Sequence, residues 1–177
     1  MHDFEYHKPT NIDDAAKLLA DSEEATLVAG GMTLLPTMKQ RLAAPESLID
    51  LGGIPDLAGV REDSGEFVVG AMTTHMAVAT DPTVQKRIPA LAHLADGIGD
   101  AQVRNRGTIG GSIANNDPAA DYPAALVGLG ATVETNKRKI PADDFFVALF
   151  ETALDEGELV TAVRFPVPDT AGYQKFH

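Results

Sequence analysis

The sequence contains no cysteine. Without cysteine, the chain itself cannot form disulfides, zinc–thiolate sites, thiol nucleophiles or cysteine-ligated iron–sulfur clusters. Histidine is present but scattered, and no pair shows the HExxH spacing of zinc hydrolases, so surface or helix-cap positions are the better interpretation of His2, His7, His75, His93 and His177. We therefore expect neither a metal site nor thiol chemistry in this chain.

Positive charge and long apolar runs are also scarce. The chain has 14 Lys and Arg residues against 26 Asp and Glu residues, a formal net charge of −12. Its field repels polyanions, which argues against nonspecific binding to nucleic acid or to an anionic membrane surface. No apolar run approaches the roughly 18 residues that a membrane helix needs, and the first residues lack the order of a secretory signal. We predict no membrane span and a cytoplasmic location.

Two common nucleotide motifs are missing as well. Neither GxGxxG nor GxxxxGK[ST] occurs, which disfavours a Rossmann dinucleotide site and a P-loop. An acidic chain can still hold a phosphate, because backbone N–H groups at a helix N-terminus bind anions through local dipoles. A diphosphate ligand would thus need a different fold.

The pattern of apolar residues predicts an α+β protein with one core, or with two small lobes that share a ligand crevice. Asn11 is a plausible N-cap for a helix through residue 19, and Asp14 completes a capping-box-like pair. Strands are predicted at 25–29 and 47–51, on either side of a helix that follows Gly31. Because Gly52, Gly53 and Pro55 break the chain, we place a boundary there, between an N-terminal lobe (1–52) and a second lobe (53–177).

The second lobe reads as a hairpin, a helical region and further strands. Residues 57–60 and 67–69 predict the hairpin around residues 63–65. Helices are predicted near 76–79, 83–88 and 90–97, and again from Asp121 to 129 with Asp121 as the cap. Strands are expected at 131–135 and 159–165.

Two glycine pairs carry the strongest functional signal. A Gly-Gly pair between a strand and a helix permits positive φ and lets N–H groups converge on an anion. Gly30 and Gly31 fit this pattern, with Thr33 expected to cap the helix and to bond a phosphate oxygen. Gly110 and Gly111 repeat it, followed by Ser112. Either pair alone could be an ordinary tight turn, but two such loops favour a bound diphosphate.

The segments that contain these pairs resemble a known family. The motifs AGGMTLLPTMK (29–39) and RGTIGGSIANNDPAAD (106–121) look like the paired FAD signatures of the medium subunits of carbon monoxide dehydrogenase, xanthine dehydrogenase and related molybdenum hydroxylases. Weaker similarities to the same family are found in GAMTTH (70–75), DFF (144–146) and LVTAVRFP (159–166). The resemblance covers nearly the whole chain. Family members usually continue into a C-terminal domain, which we expect to be absent here.

This resemblance implies a two-lobed FAD-binding fold of the vanillyl-alcohol-oxidase (PCMH) type, with both glycine loops on the pyrophosphate. It places Asn115 and Asp121 along the ribityl or isoalloxazine part, and residues 70–73 in the same crevice. The FAD-binding residues implied by position are Ala29, Gly30, Gly31, Met32, Thr33, Leu34, Gly70, Thr73, Thr108, Ile109, Gly110, Gly111, Ser112, Asn115 and Asp121. No catalytic residue and no metal ligand is expected.

Other constellations have simpler interpretations. Asp117 and Asp121 could form a carboxylate pair, but turn and cap roles explain them better. Ser112 lacks the GxSxG context of a hydrolase nucleophile. Arg104 and Arg106 could approach the phosphates, face a partner or remain solvated. His75 could tether a flavin, although the resemblance points to noncovalent binding.

The leading functional hypothesis is an electron relay. By resemblance, a large molybdopterin-binding subunit oxidises the substrate, and a small 2Fe–2S subunit passes electrons to FAD on this chain. FAD would deliver them to an acceptor such as NAD or a quinone, so the chain would be an FAD-dependent oxidoreductase subunit that acts in a hetero-oligomer. Two alternatives are a self-contained FAD oxidoreductase and a noncatalytic assembly or interaction module.

Overall fold

The N-terminal part of the chain alternates strands and helices around a small parallel sheet. The computed structural model describes residues 1–22 and 24–175. In chain order this part forms β1 (Glu5–His7), α1 (Ile12–Ala20), β2 (Ala25–Val28), α2 (Leu34–Lys39) and β3 (Ser47–Asp50). The strands pair in the order β1-β3-β2, all parallel. The predicted strands and the two predicted helices are thereby confirmed.

Helix α1 begins and packs as its sequence pattern indicates. The side chain of Asn11 accepts a hydrogen bond from the backbone N–H of Asp14 at 2.8 Å, which satisfies one free donor of the first turn. The helix packs on Ile49 of β3 in an apolar cluster that also contains Leu57 and Leu159. Because Leu159 lies far along the chain, this cluster joins the parallel sheet to the rest of the molecule.

A short helical linker follows the parallel sheet. Two 3-10 turns, Leu51–Gly53 and Pro55–Leu57, lead to β4 (Val60–Asp63). The predicted start of this strand at residue 57 is therefore wrong. Pro55 favours the turn, and the Leu57 side chain is fully buried in the N-terminal cluster instead of lying on a sheet.

The second half of the chain places a helical region between strands. In chain order it forms β5 (Glu66–Gly70), α3 (His75–Thr80), α4 (Pro82–Arg87), α5 (Pro89–Asp96), α6 (Ala101–Arg106), α7 (Ile109–Asn115), α8 (Tyr122–Gly128), β6 (Thr132–Thr135), β7 (Lys139–Pro141), α9 (Ala142–Phe145), β8 (Phe146–Ala148), β9 (Glu151–Thr152) and β10 (Val160–Pro166). Ser64 and Gly65, with φ of 55° and 86°, form the turn between β4 and β5. The predicted hairpin turn, the predicted helices and the predicted strands at 67–69, 131–135 and 159–165 are confirmed.

A mixed core holds the second half together. An antiparallel sheet runs in the order β4-β5-β10-β6-β7. The main apolar cluster joins Phe67 and Phe165 of this sheet to Leu91, Ile113 and Tyr122 of the helices. The predicted α+β class is confirmed, whereas the lobe boundary near residue 52 stays a prediction. Within the two described ranges, no helix is long and apolar enough to cross a membrane.

Candidate functional site

A cleft of about 700 Å³ brings both glycine segments together. We name residues 29–34 the first glycine loop and residues 108–112 the second glycine loop. The cleft wall includes most of the binding residues that the sequence predicts, namely Ala29, Gly30, Gly31, Met32, Thr33, Leu34, Thr108, Gly110, Gly111, Ser112, Asn115 and Asp121. The fold therefore gathers two segments that lie far apart in sequence into one site.

Three predicted binding residues do not line this cleft. The Thr73 hydroxyl is buried and bonds both the N–H and the carbonyl of Gly59, at 2.9 and 3.0 Å. Gly70 packs against the backbone of residue 57, where an added Cβ would lie 2.3 Å from a carbonyl oxygen. Ile109 is fully buried in the main core. From the predicted stretch 70–73, it is Ala71 and Met72 that reach the wall.

The first glycine loop offers a row of free donors. Among residues 1–22 and 24–175, no hydrogen-bond acceptor is found for the N–H groups of residues 30 to 34. Gly31 has φ of +72°, the left-handed conformation that glycine adopts without a steric penalty. The predicted cap by the Thr33 side chain is wrong, since this residue is already helical and its hydroxyl makes no cap bond. Five consecutive N–H groups therefore remain available to an anion.

The second glycine loop is built differently from the first. It follows helix α6 and one isolated bridge between Thr74 and Thr108, not a strand, and its glycines lie inside the first turn of α7. Neither Gly110 nor Gly111 has positive φ. The predicted strand-glycine-helix pattern is therefore wrong for this loop.

Internal bonds already occupy several donors of the second glycine loop. The N–H groups of Ile109 and Gly110 donate to the carbonyls of Thr73 and Ala71, at 3.1 and 2.9 Å. The Thr108 hydroxyl caps α7 by accepting from the Gly111 N–H at 3.1 Å. This loop thus has fewer free donors than the first, and its glycines serve mainly close packing.

The two loops touch each other directly. A Cβ placed on Gly30 would lie only 2.0 Å from the carbonyl oxygen of Arg106 and 2.8 Å from Cα of Gly107. A Cβ on Gly111 would approach the Cβ of Ala29 at 3.5 Å, an ordinary contact distance. Glycine at position 30 is therefore required by its contact with residues 106 and 107, which directly precede the second glycine loop, before any ligand is considered.

Few charged side chains reach the cleft. Asp117, Asp121 and Lys175 line it, and no arginine in the described part of the chain does so. Arg104 instead donates to the carbonyls of residues 98 and 99, at 3.2 and 3.0 Å. An anionic ligand here would be held mainly by backbone N–H dipoles, because side-chain cations are nearly absent from the wall.

Asp121 has a tertiary role that its sequence position does not indicate. Its carboxylate accepts a hydrogen bond from the Tyr173 hydroxyl and pairs with Nζ of Lys175 at 3.0 Å. It makes no side-chain cap bond to α8, so the predicted cap is wrong. Asp117 accepts from the N–H of Ala119 at 2.8 Å, which confirms the predicted turn.

A buried histidine and tyrosine stand beside the cleft. His75, the first residue of α3, lines the wall, and its ring lies 5.4 Å from that of Tyr122. The His75 Nδ1 and the Tyr122 hydroxyl are buried without a hydrogen-bond partner in the described residues. Burial lowers the pKa of His75 to about 4, although the charge of Asp121 opposes this shift. The imidazole is therefore neutral at pH 7 and adds no positive charge to the cleft.

Several wall residues are not among the binding residues that the sequence predicts. Thr37, His75 and Lys175 line the cleft only because α2, α3 and the end of the described chain converge there. Alternative chemistry finds no support in the geometry: the described residues contain no group of three or more potential metal ligands, and no base bonds the Ser112 hydroxyl. His177 lies outside the described residues.

Comparison with known proteins gives close matches. The family described as FAD binding domain in molybdopterin dehydrogenase matches residues 2–168. The carbon monoxide dehydrogenase medium chain of Hydrogenophaga pseudoflava is 45% identical over 168 residues, covering 92% of this chain and 58% of that protein. The nicotine 6-hydroxylase medium subunit of Paenarthrobacter nicotinovorans is 41% identical, covering 97% of this chain and 62% of that protein.

A solved structure shows the same fold. The reconstituted carbon monoxide dehydrogenase from Oligotropha carboxidovorans matches with a TM-score of 0.92 at 43% identity, over 95% of this chain and 60% of that chain. The chain thus spans about three fifths of the length of the relatives that it matches.

Proposed function

Because the chain belongs to the family of FAD-binding domains of molybdopterin dehydrogenases, we propose that it is the flavin electron-transfer subunit of a molybdenum-dependent hydroxylase or dehydrogenase. The predicted family and the predicted cofactor are confirmed by these comparisons. Two of the relatives are a medium chain and a medium subunit of oxidoreductases. We further propose that the fold is of the vanillyl-alcohol-oxidase type, with lobes 1–52 and 53–177 on either side of the cofactor.

The observation that carries the proposed site is the row of free donors in the first glycine loop. A pyrophosphate has several acceptor oxygens and two negative charges, and the N–H groups of residues 30–34 have no acceptor of their own in the part of the chain that the structure describes. Hydrogen bonds to a charged acceptor contribute about 1.5–3 kcal/mol each. A few such bonds would hold the anion in a protein that carries an overall charge of −12.

The remaining wall fits the other parts of FAD. The second glycine loop packs beside the first and would present the Ser112 hydroxyl and the free N–H of Thr108 to the same phosphates. Asn115 and Asp121 also line the cleft and would bond the ribityl or flavin part, while Met72 adds apolar surface. When bound, FAD supplies reversible uptake and release of electrons, and the protein supplies position and a dry environment.

The partners follow from this role. Since the chain has no cysteine, it cannot carry a cysteine-ligated cluster, and electrons would come from a small 2Fe–2S subunit. A large molybdopterin-binding subunit would oxidise the substrate, and NAD or a quinone would be the final acceptor. We place the complex in the cytoplasm, as the sequence predicts.

A direct test is FAD binding by the purified chain. We expect a yellow protein whose released cofactor is FAD, and ADP should compete with FAD because it carries the same diphosphate. Gly31→Val should weaken FAD binding at least tenfold while the circular dichroism spectrum is unchanged, since valine disfavours φ of +72°. Gly128→Ala is the matched control, because nothing lies within 4 Å of its added Cβ.

The competing hypotheses give different results. A colourless chain without FAD affinity would leave only the assembly module. Direct reduction of the bound flavin by a small substrate, without other subunits, would favour a self-contained oxidoreductase. Reduction only through the molybdenum and iron–sulfur subunits would support the relay.

A further inference from the structure

An apolar tip projects from the hairpin of β8 and β9. Val147, Leu149 and Phe150 are 57%, 72% and 62% exposed, although all three are large and apolar. We name these three residues the hairpin tip. The neighbouring Phe145, in contrast, is fully buried in the main core. Three exposed apolar side chains within four residues of one hairpin are typical of a binding surface rather than of ordinary solvent-facing positions.

The backbone of the hairpin tip is held in an unfavourable conformation. Phe150 has φ of 58°, a left-handed value that a bulky residue rarely adopts. Its N–H donates to the carbonyl of Asn116 at 3.1 Å. Such conformations persist where the surrounding structure imposes them, and they cluster at functional positions.

Asn116 anchors the hairpin of β8 and β9 through hydrogen bonds. This residue is buried and has φ of 44°, and its Nδ2 donates to the carbonyls of Ala148 and Glu151, both at 2.8 Å. Asn116 directly follows Asn115, which lines the cofactor cleft. Through three hydrogen bonds, the hairpin tip is therefore tied to a wall of the cleft and not to a flexible loop.

Exposed carboxylates flank the hairpin tip in the sequence. Asp143 and Asp144 lie in α9 just before β8, and Glu151 begins β9. None of the three pairs with a cation in the described part of the chain. These carboxylates repel an anionic membrane surface and attract Lys and Arg side chains.

We propose that the hairpin tip docks into an apolar socket, edged by Lys and Arg, on the small 2Fe–2S subunit that passes electrons to the flavin. The inference rests on the proposed function and adds the surface that joins the subunits. Aromatic side chains are enriched at the cores of such interfaces, and Phe150 is presented there in a fixed position. Since Asn116 couples the tip to the cleft wall, docking here would bring the partner close to the cofactor.

The test measures complex formation and FAD content in the same samples. The FAD-loaded chain is titrated with the purified 2Fe–2S subunit of its enzyme. The double variant Leu149→Ser/Phe150→Ser should raise the dissociation constant at least tenfold with unchanged FAD content. Asn116→Gly, which keeps the left-handed backbone and removes the anchor, should give a smaller rise. Leu42→Ser is the control, because Leu42 is 76% exposed and outside the hairpin.

Three results would overturn the inference. They are an unchanged dissociation constant in the double variant, failure of the FAD-loaded wild-type chain to bind the 2Fe–2S subunit, and a dimer of the isolated chain that the double variant converts to monomer. In the last case the hairpin tip would bind a second copy of this chain. Loss of FAD from the wild-type chain would instead contradict the proposed function, and the visible spectrum of each sample distinguishes the two.

Discussion

Gly30→Ala should separate the two glycine loops and weaken FAD binding. The added methyl group would lie 2.0 Å from the carbonyl oxygen of Arg106. A carbon and a carbonyl oxygen normally approach no closer than about 3.3 Å, so one loop must move by about 1.3 Å. The carbonyl oxygen belongs to the backbone, and the methyl group is bonded directly to Cα. Neither group can therefore rotate away, as the end of a long side chain could.

The expected magnitudes follow from this displacement. Forcing extra volume into a packed contact costs about 1–3 kcal/mol, which should appear as reduced stability of the FAD-free chain. A shift of this size also takes one or more N–H groups of residues 30–34 out of bonding distance of a phosphate. Losing one bond to a charged acceptor, at about 1.5–3 kcal/mol, corresponds to a dissociation constant for FAD that is about ten- to a hundredfold larger.

The measurement combines two titrations. Urea unfolding of the FAD-free protein gives the free energy of unfolding, and quenching of FAD fluorescence gives the dissociation constant. Gly128→Ala again serves as the control, since its Cβ meets nothing within 4 Å. If Gly30→Ala gave the same free energy of unfolding and the same dissociation constant as the control, the contact between Gly30 and Arg106 would not position the N–H donors.

Two further predictions concern buried ionisable groups. Glu158 accepts a bidentate pair of bonds from Arg138, at 2.9 and 3.0 Å, which lowers its pKa from 4.5 to about 2. The ionised Glu158 should therefore contribute about 2–3 kcal/mol to the free energy of unfolding. This contribution is present above pH 4.5 and is lost as the pH falls towards 2. Urea unfolding at several pH values should therefore show that the stability of Glu158→Gln approaches that of the wild-type chain in acid. An unchanged difference would contradict the assigned pKa. His75, with its pKa lowered from 6.5 to about 4, should cost about 2 kcal/mol of stability between pH 8 and pH 5, because only the unfolded chain gains the proton. His75→Gln should lose less over that interval, and equal losses in both proteins would show that His75 is not the group that titrates.

Local sequence was sufficient for most secondary structure. The Asn11 cap, the turn at Ser64 and Gly65 and the strand before Gly30 depend on residues within a few positions of each other, and all were predictable. The family also followed from sequence, since two long glycine motifs carry it. The predictions that failed were the strand start at Leu57, where burial in the N-terminal cluster replaced strand pairing, the caps by Thr33 and Asp121, and the strand before the second glycine loop.

The roles of the glycines depended on tertiary structure. Both glycine pairs look alike in the sequence, yet among the described residues only the first pair leaves its N–H groups free. In the second pair, Gly110 donates to the carbonyl of Ala71 and Gly111 donates to the hydroxyl of Thr108. The requirement for glycine at position 30 comes from Arg106, which lies far along the chain. No local pattern contains these partners, since hydrogen bonds and close contacts between distant segments exist only after the chain has folded.

The sequence by itself determined that the chain is an acidic, cysteine-free α+β protein with two motifs suited to a diphosphate. Tertiary structure decided which donors stay free, that Lys175 and Tyr173 meet Asp121 beside the cleft, and that Asn116 holds the hairpin tip in solvent. The physical reason is the range of the interactions. Caps, turns and amphipathic stripes act between near neighbours, whereas the cleft and the tip depend on contacts between residues that are distant in sequence.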